Sequence, residues 1–226
     1  MSIDDANTNL LDPFEIRVLA VLAEKETLTP DTYPLTVNAL TNGCNQLSSR
    51  DPVMSISDTT VQDVLDRLMH RKLVAEVSQA SGRARKYEHR MRIKWTLEQD
   101  KLSILTVLML RGVQTAGEIR SRVGRMHEFA SVAEVETGLQ FLMDKYPPVV
   151  GRLARAPGTK ESRYAHLLSG EEILERQELL SSSVADGVVA SSRTDRIEQL
   201  EQEVSRLRDA FANLTQEFEQ FKKQFE

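Results

Sequence analysis

The sequence predicts a mainly α-helical chain with small β-hairpins, an α+β fold in which two similar units precede a C-terminal coiled-coil helix. Three observations predict this fold. Helical hydrophobic spacing recurs in two stretches that align with each other, and each of these stretches ends in a short hairpin pattern. The last part of the chain follows an unbroken heptad pattern.

An internal repeat supports the division into two units. Self-similarity at matching positions indicates a repeated structural unit, so we expect one unit in residues 12–96 and a second in residues 97–169. The first unit is twelve residues longer before its third helix. The aligned segments are EIRVLAVL (15–22) with KLSILTVL (101–108), VQDVLDRLM (61–69) with VETGLQFLM (135–143), and KYEH (86–89) with RYAH (163–166).

Helix-start signals divide the first unit into three helices. Pro fits the first position of a helix, where its missing N–H is not needed. Ser is favoured as an N-cap because its hydroxyl accepts a backbone N–H. The predicted elements are helices that open at Asp12-Pro13, at Thr29-Pro30 with a restart at Tyr33-Pro34, and at Ser57, then strands over 73–79 and 85–93.

The second unit repeats this order with clearer signals. Gly112 fits the end of the first helix, and a Ser or Thr followed three residues later by Glu forms a capping box. Three helices followed by a β-hairpin are typical of the winged helix, so we interpret the chain as two winged-helix domains in tandem. The predicted elements are helices over about 98–111, from Thr115–Glu118 and from Ser131–Glu134, then strands over 149–156 and 161–168.

Three stretches carry a resemblance to a known family. They are TPDTYPLTVNALTNGCNQLSSRDPVM (29–54), LMLRGVQTAGEIRSRVGRMHEF (108–129) and RLARAPGTKESRYAHLLSG (152–170). On these stretches, residues 12–170 resemble the YceH-like bacterial proteins. The resemblance implies a tandem winged-helix fold. It implies no activity and no catalytic or ligand-binding residues.

Residues 193–226 are predicted to form a coiled coil. Spacings of three and four alternate between the apolar residues, which is the pattern of two helices that bury a shared seam. A parallel pair brings Glu203 next to Arg208, whereas an antiparallel pair brings Glu203 near Glu217, so we expect a parallel homodimer. The alternative is that this helix folds back on its own domains. The predicted oligomerisation residues are Ile197, Leu200, Val204, Leu207, Phe211, Leu214, Phe218, Phe221 and Phe225.

Composition indicates the compartment and excludes several classes of protein. The single cysteine excludes a disulfide within the chain, and no apolar run is long enough for a membrane span. We expect a cytoplasmic protein with a disordered tail over 1–11 and a linker over 170–192 that adds a short helix. Because no Cys or His lies at metal-ligand spacing and no nucleophile-and-base pattern appears, we expect no cofactor, no metal and no enzymatic activity.

Positive charge concentrates in the first hairpin, although the chain carries a net charge of −5. Strand alternation over residues 85–93 predicts a core face of Tyr87, His89, Met91 and Ile93. Lys86, Arg90, Arg92 and Lys94 are expected on the opposite face, with Arg83 and Arg85 at the tip. Such a basic stripe predicts phosphate contacts with nucleic acid; the alternative is a solvated face. The predicted nucleic-acid-binding residues are Arg83, Arg85, Lys86, Arg90, Arg92 and Lys94, with Arg120, Arg122, Arg125, Arg155 and Lys160 from the second unit.

The composition of the third helices argues against contacts between these helices and DNA bases. They carry the acids Asp58, Asp63, Asp66, Glu134, Glu136 and Asp144, which phosphate repels, and Phe141 falls outside the core stripe, as expected for a protein contact. Two functions therefore stay open. One is a DNA-binding or transcription-associated protein that uses basic wings. The other is a protein-interaction module without DNA binding, in which the coiled coil sets the oligomeric state.

Smaller features have alternative or structural interpretations. The cluster Asn38, Asn42, Asn45, Gln46 and Arg50 is either a binding surface or a set of partners for the backbone of a long loop. His89 and His166 occupy matching positions of the repeat, so we interpret them as structural parts of the hairpins. Cys44 lies on an apolar helical stripe and is interpreted as a small core residue.

Overall fold

Seven α-helices and five short strands form a mixed α/β structure in the residues that the computed structural model describes, 10–77, 84–153 and 161–170. The helices are α1 (Pro13–Leu28), α2 (Val37–Cys44), α3 (Asp58–His70), α4 (Met91–Trp95), α5 (Gln99–Arg111), α6 (Ala116–Val123) and α7 (Val132–Met143). The strands are β1 (Val74–Val77), β2 (Lys86–His89), β3 (Gln114–Thr115), β4 (Val150–Arg152) and β5 (Arg163–His166), and a 3₁₀ turn spans Pro30–Thr32.

The same order of elements occurs twice, with three helices followed by an antiparallel pair of strands. β1 pairs with β2 in the first half and β4 pairs with β5 in the second. A third strand, which the sequence analysis did not predict, precedes the second helix of each half. In the first half it is a single β-bridge between Leu35 and Tyr87. In the second half it is β3, which pairs with β5 so that Gln114 lies opposite Tyr164.

Local capping signals place the helix starts. The Thr115 hydroxyl accepts the N–H of Glu118 and the Glu118 carboxylate accepts the N–H of Thr115, so this capping box is confirmed. The second predicted capping box is confirmed for its serine and wrong for its glutamate. Ser131 accepts the N–H of Glu134, but the Glu134 carboxylate accepts the N–H of Ala130. Helices α1 and α3 begin after the expected caps, Asp12 and Ser57.

A single cluster of buried apolar residues spans both halves, with α1 packed against α5. The repeat is visible in this burial, because the buried residues of α3 and α7 match at an offset of 74. They are Val61, Val64, Leu65 and Leu68 in α3, and Val135, Gly138, Leu139 and Leu142 in α7.

The close approach of α7 to α5 explains why a glycine replaces Val64 in the second half. A Cβ atom built at Gly138 would lie 2.5 Å from Ile104 Cδ1, which is closer than real Cβ contacts. The repeat is therefore asymmetric at this position, and the helices of the second half pack more tightly there.

Several predicted segments lie outside the described residues. They are residues 1–9 of the tail, the turn of each hairpin, residues 171–192 of the linker and the whole heptad segment over 193–226. Across the ranges that are described, no helix combines the length and the apolar character that crossing a bilayer requires.

Candidate nucleic-acid interface

The first hairpin is shorter than predicted, because β2 ends at His89 and α4 follows. His89 Nδ1 accepts the N–H of Met91 at 3.2 Å, which satisfies a free donor in the first turn of α4. Met91 is fully buried, and Trp95, one turn later, is partly buried against the core. The predicted strand over 85–93 is therefore wrong beyond His89, and Ile93, expected in the core, is 74% exposed.

Three cations of β2 and of the segment that follows it lie close in the chain, and we call them the hairpin cation cluster: Lys86, Arg90 and Lys94. Lys86 is on β2, and the Lys94 N–H donates to the Arg90 carbonyl at 2.9 Å in the single turn of α4. Glu88 is 3.4 Å from Arg90. Within the described ranges, no carboxylate lies within 4.0 Å of Lys86 or Lys94.

The remaining predicted residues of the first hairpin have carboxylate partners or lie outside the described residues. Arg85 is exposed, 3.7 Å from Glu76. Arg92 is turned towards the body of the protein, where it pairs with Glu26 at 2.9 Å and donates to Gln99. Its prediction as part of the basic stripe is wrong, because α4 rotates its side chain away from the strand face. Arg83 lies outside the described residues.

The basic residues of α6 have mainly intramolecular partners. Arg120 donates to the carbonyls of Phe129 and Ala130 at 3.2 and 3.0 Å, so it holds the loop before α7. Arg122 donates to Gln114 at 2.7 Å. Arg125, just after α6, is exposed and has no carboxylate within 4.0 Å among described residues. Arg155 and Lys160 lie outside the described residues.

The third helix of each half exposes acids. In α3 the Gln62 amide donates to Asp66 at 2.9 Å and accepts from the Tyr87 hydroxyl at 3.3 Å. In α7 the Gln140 amide donates to Asp144 at 2.7 Å. Both amides are thus engaged within the protein. The exposed acids are Asp58, Asp63 and Asp66 in the first half and Glu134, Glu136 and Asp144 in the second.

An aromatic patch lies on α7 and the turn after it. Phe141 is 42% exposed and Tyr146 is 95% exposed. The ammonium groups of Lys101 and Lys145 lie 5.3 and 4.6 Å from the Phe141 ring centroid, within cation–π range. Phe141 is therefore outside the core, as its position off the apolar stripe predicted.

The polar cluster near α2 mainly satisfies the long loop that follows it. Asn45 both donates to and accepts from the backbone of Ile56, at 2.8 and 2.9 Å. Arg50 is buried, pairs with Glu24 at 2.6 Å and donates to Gln46 at 2.7 Å. The interpretation as backbone and loop partners therefore holds for these residues. Asn38 and Asn42 are exposed and bond to each other.

The sequence analysis missed a partly buried polar cluster next to the first hairpin. His89 Nε2 lies 3.2 Å from Glu26, and the Tyr33 hydroxyl accepts the His89 N–H at 2.9 Å. The contact with His89, followed by the pair with Arg92, holds the pKa of the Glu26 carboxyl at about 2. The interpretation of His89 as a structural residue agrees with these contacts.

Burial governs the titration of two further predicted core residues. His166 is buried on β5, and its pKa is lowered to about 4 by desolvation. Burial raises the pKa of the Cys44 thiol to about 12, so the thiol stays protonated at neutral pH. Both residues are therefore uncharged at neutral pH, which agrees with their interpretation as structural residues.

A buried arginine in α1 was also missed. Arg17 is 1% exposed and donates to the carbonyls of Cys44 and Pro52, at 3.0 and 2.5 Å. It ties α1 to α2 and to the long loop. The signal was present in the sequence, because Arg17 interrupts the apolar run EIRVLAVL.

Comparison with known proteins assigns the chain to a family. The model described as "Protein of unknown function, DUF480" matches residues 11–159. The chain belongs to the DUF480 family. A UPF0502 protein of Janthinobacterium sp. (strain Marseille) is 64% identical over 217 residues, which are 96% of this chain and 92% of that protein. A UPF0502 protein of Geobacter sulfurreducens is 44% identical over 217 residues, 96% of this chain and 99% of the relative.

The DUF480 match includes most of the features described above. Residues 11–159 contain the hairpin cation cluster, the acidic faces of α3 and α7, and the aromatic patch. These features therefore lie within the family's own region, whereas the heptad segment lies beyond it.

Proposed function

We propose that this DUF480 protein is a non-enzymatic tandem winged-helix protein of the YceH-like type that binds duplex DNA through phosphate contacts. The observation that carries the proposal is the hairpin cation cluster, in which three cations have one neighbouring described carboxylate, Glu88. In the winged-helix fold, the hairpin is the wing that approaches the DNA backbone; the step from fold to function is one of analogy. The two halves, residues 12–96 and 97–169, each supply three helices and a hairpin to this fold.

Phosphate contacts would dominate over contacts with bases. The exposed acids of α3 and α7 disfavour the entry of either helix into a groove lined by phosphates. The Gln62 and Gln140 amides each donate one N–H to an acid of the same or the following turn, Asp66 and Asp144. Binding would therefore depend steeply on salt and little on sequence.

The heptad segment over 193–226 would join two copies and double the number of hairpins per complex. Two linked binding surfaces raise the overall affinity when both reach the same duplex. The parallel homodimer remains a prediction from the heptad pattern and from its g-to-e charge pairs.

The absence of enzymatic activity is part of the proposal. Cys44 is the single cysteine, and its raised pKa makes it a poor nucleophile. The two hairpin histidines, His89 and His166, are buried with 6% exposure each. These groups offer no accessible acid, base or nucleophile for catalysis.

The proposal is tested by fluorescence anisotropy of mixed-sequence duplex DNA at about 50 mM salt, where phosphate contacts are strongest. The test variant is Lys86→Gln/Lys94→Gln. The matched control is Lys101→Gln/Lys145→Gln, which removes two lysine charges outside the hairpin. We expect weaker binding in the test variant alone. Equal losses in both variants would mean that net charge, not the hairpin, determines the affinity.

The second candidate function is a protein-interaction module that binds no DNA. The aromatic patch of Phe141 and Tyr146 favours it, because exposed aromatic residues are enriched in protein interfaces. The same titration distinguishes the two functions. Undetectable DNA binding by the wild type at about 50 mM salt would reject the first and leave the second.

A further inference from the structure

The long loop of the first half contacts the second half next to Ser49. The Asp51 N–H donates to the Leu110 carbonyl at 2.8 Å, which fixes the loop against the end of α5. Arg111, the last residue of α5, donates to the Ser49 hydroxyl at 2.5 Å, and Arg50 donates to the Ser49 carbonyl at 3.0 Å. Two guanidinium groups therefore meet at one residue.

A third guanidinium is linked to the end of α5 through the buried Gln114 side chain. Arg122 on α6 donates to Gln114 at 2.7 Å, and the Gln114 amide donates to the Val107 and Gly112 carbonyls at the end of α5. The pKa of Arg111 is lowered, first by burial and then by the charges of Arg122 and Arg50. Like charges are thus concentrated at this junction.

The nearby carboxylates pair with Arg50 and Arg122. Glu24 accepts two hydrogen bonds from Arg50, at 3.1 and 2.6 Å. Glu118 is 3.7 Å from Arg122, and it also accepts the Thr115 N–H. Among described residues, Arg111 has no carboxylate within 4.0 Å.

The same groups retain donors for a ligand. A guanidinium has five N–H donors, and Arg111 and Arg122 each use one of them in a hydrogen bond to a described residue. The Ser49 hydroxyl accepts from Arg111, so its own proton is available to donate. Ser49 has a φ of 62°, a left-handed conformation that is uncommon for a residue with a Cβ atom. Such strain is concentrated at binding sites in other proteins.

We propose that Arg111, Arg122 and the Ser49 hydroxyl bind an oxyanion of the phosphate class at the junction of the two halves. Arginine is suited to this ligand because its planar fork matches the oxygens of a phosphate group. The phosphate group belongs either to a small phosphorylated molecule or to a nucleic-acid backbone. The site does not depend on the hairpin cation cluster, so it stands or fails separately from the proposed function.

The site is tested by calorimetric titration of the full chain with inorganic pyrophosphate, with sodium chloride added to keep the ionic strength constant. We expect saturable binding by the wild type and at least a tenfold loss in Arg111→Gln/Arg122→Gln, because charge-assisted hydrogen bonds are lost. The control Lys101→Gln/Lys145→Gln removes the same charge elsewhere and retains wild-type affinity.

A conservative variant separates binding from folding. Arg111→Lys keeps the charge but lacks the fork, so it binds pyrophosphate more weakly than the wild type if the site is correct. Circular dichroism verifies that each variant is folded. If the double variant does not fold, the comparison of Arg111→Lys with the wild type decides the matter alone.

Duplex DNA titrated against the same variants identifies the source of the phosphate. A loss of both DNA and pyrophosphate affinity in Arg111→Gln/Arg122→Gln supports a nucleic-acid backbone in the site. A loss of pyrophosphate affinity alone supports a small phosphorylated molecule. The proposal is overturned if the wild type shows no saturable binding of pyrophosphate, or if Arg111→Lys and the double variant bind it as the wild type does.

Discussion

Replacing His166 should reduce the acid sensitivity of this protein. The side chain is 6% exposed on β5, and its buried Nδ1 has no hydrogen-bond partner among the described residues. Desolvation disfavours the imidazolium and lowers the pKa from 6.5 to about 4. As pH falls from 6.5 towards 4, the unfolded chain therefore binds a proton that the folded chain does not. The stability that the uncharged His166 contributes is fully present above pH 6.5, and it is lost as pH falls from 6.5 to 4.

The magnitude follows from the two pKa values. A pH of 5 lies about 1.5 units below the pKa of the histidine in the unfolded chain, and this difference corresponds to about 2 kcal/mol of lost stability. His166→Leu removes the titration and replaces an unpaired polar group with an apolar one of similar size. The variant should lose about 2 kcal/mol less than the wild type between pH 7 and pH 5.

The assay is urea unfolding, followed by circular dichroism, of the wild type and variants at pH 7 and pH 5. The control is His70→Gln, which removes a histidine that is exposed. The Glu26 carboxyl does not interfere, since its lowered pKa affects stability only as pH falls through its ordinary value of 4.5. An equal loss for wild type and His166→Leu between the two pH values would refute the reasoning.

Three further substitutions test the packing and polar contacts by urea unfolding at pH 7. Glu24→Gln leaves the buried Arg50 guanidinium without its charged partner and should cost about 3–5 kcal/mol; a loss below about 1 kcal/mol would contradict a buried pair. Asn45→Ala leaves a backbone N–H and a carbonyl of the long loop unpaired and should cost about 2 kcal/mol; an unchanged midpoint would argue for a role in binding instead. Gly138→Val overpacks the α5–α7 contact and should cost about 1–3 kcal/mol, with partial rescue by Ile104→Val; no rescue would exclude this contact as the cause.

The elements that the sequence predicted well depend on local signals. Asp12, Ser57, Thr115 and Ser131 all act as N-caps, because a cap is determined by hydrogen bonds within one turn. The repeat was also readable, since the apolar residues that recur at matching positions are those that the core buries. Position 138 is an exception to this match. It is a buried glycine where α3 has Val64, and the missing side chain leaves room for Ile104 of α5.

The elements that the sequence did not predict depend on contacts between distant segments. Arg92 lies beside basic residues in the sequence, but its partner Glu26 is 66 positions away. The helix α4 follows from the burial of Met91 and from the His89 side chain that accepts its N–H, and alternation along the strand cannot reveal either. Tertiary contacts therefore remove Arg92 from the predicted basic stripe and leave the hairpin cation cluster.

The candidate surfaces show the same contrast. The acidic faces of α3 and α7 and the exposure of Phe141 follow from helical periodicity, and the structure agrees with that reading. The convergence of Arg50, Arg111 and Ser49 follows from a loop that crosses between the halves. No spacing rule within one element could have placed these residues together.

The salt dependence of DNA binding tests the central claim most directly. The logarithm of the association constant is measured by anisotropy against the logarithm of salt concentration for the wild type, for Lys86→Gln/Lys94→Gln and for Lys101→Gln/Lys145→Gln. Each phosphate contact contributes about 0.9 to this slope. The hairpin variant should therefore lose about 2 units of slope, and the control should match the wild type. Equal slopes for the wild type and the hairpin variant would contradict phosphate contacts by this hairpin.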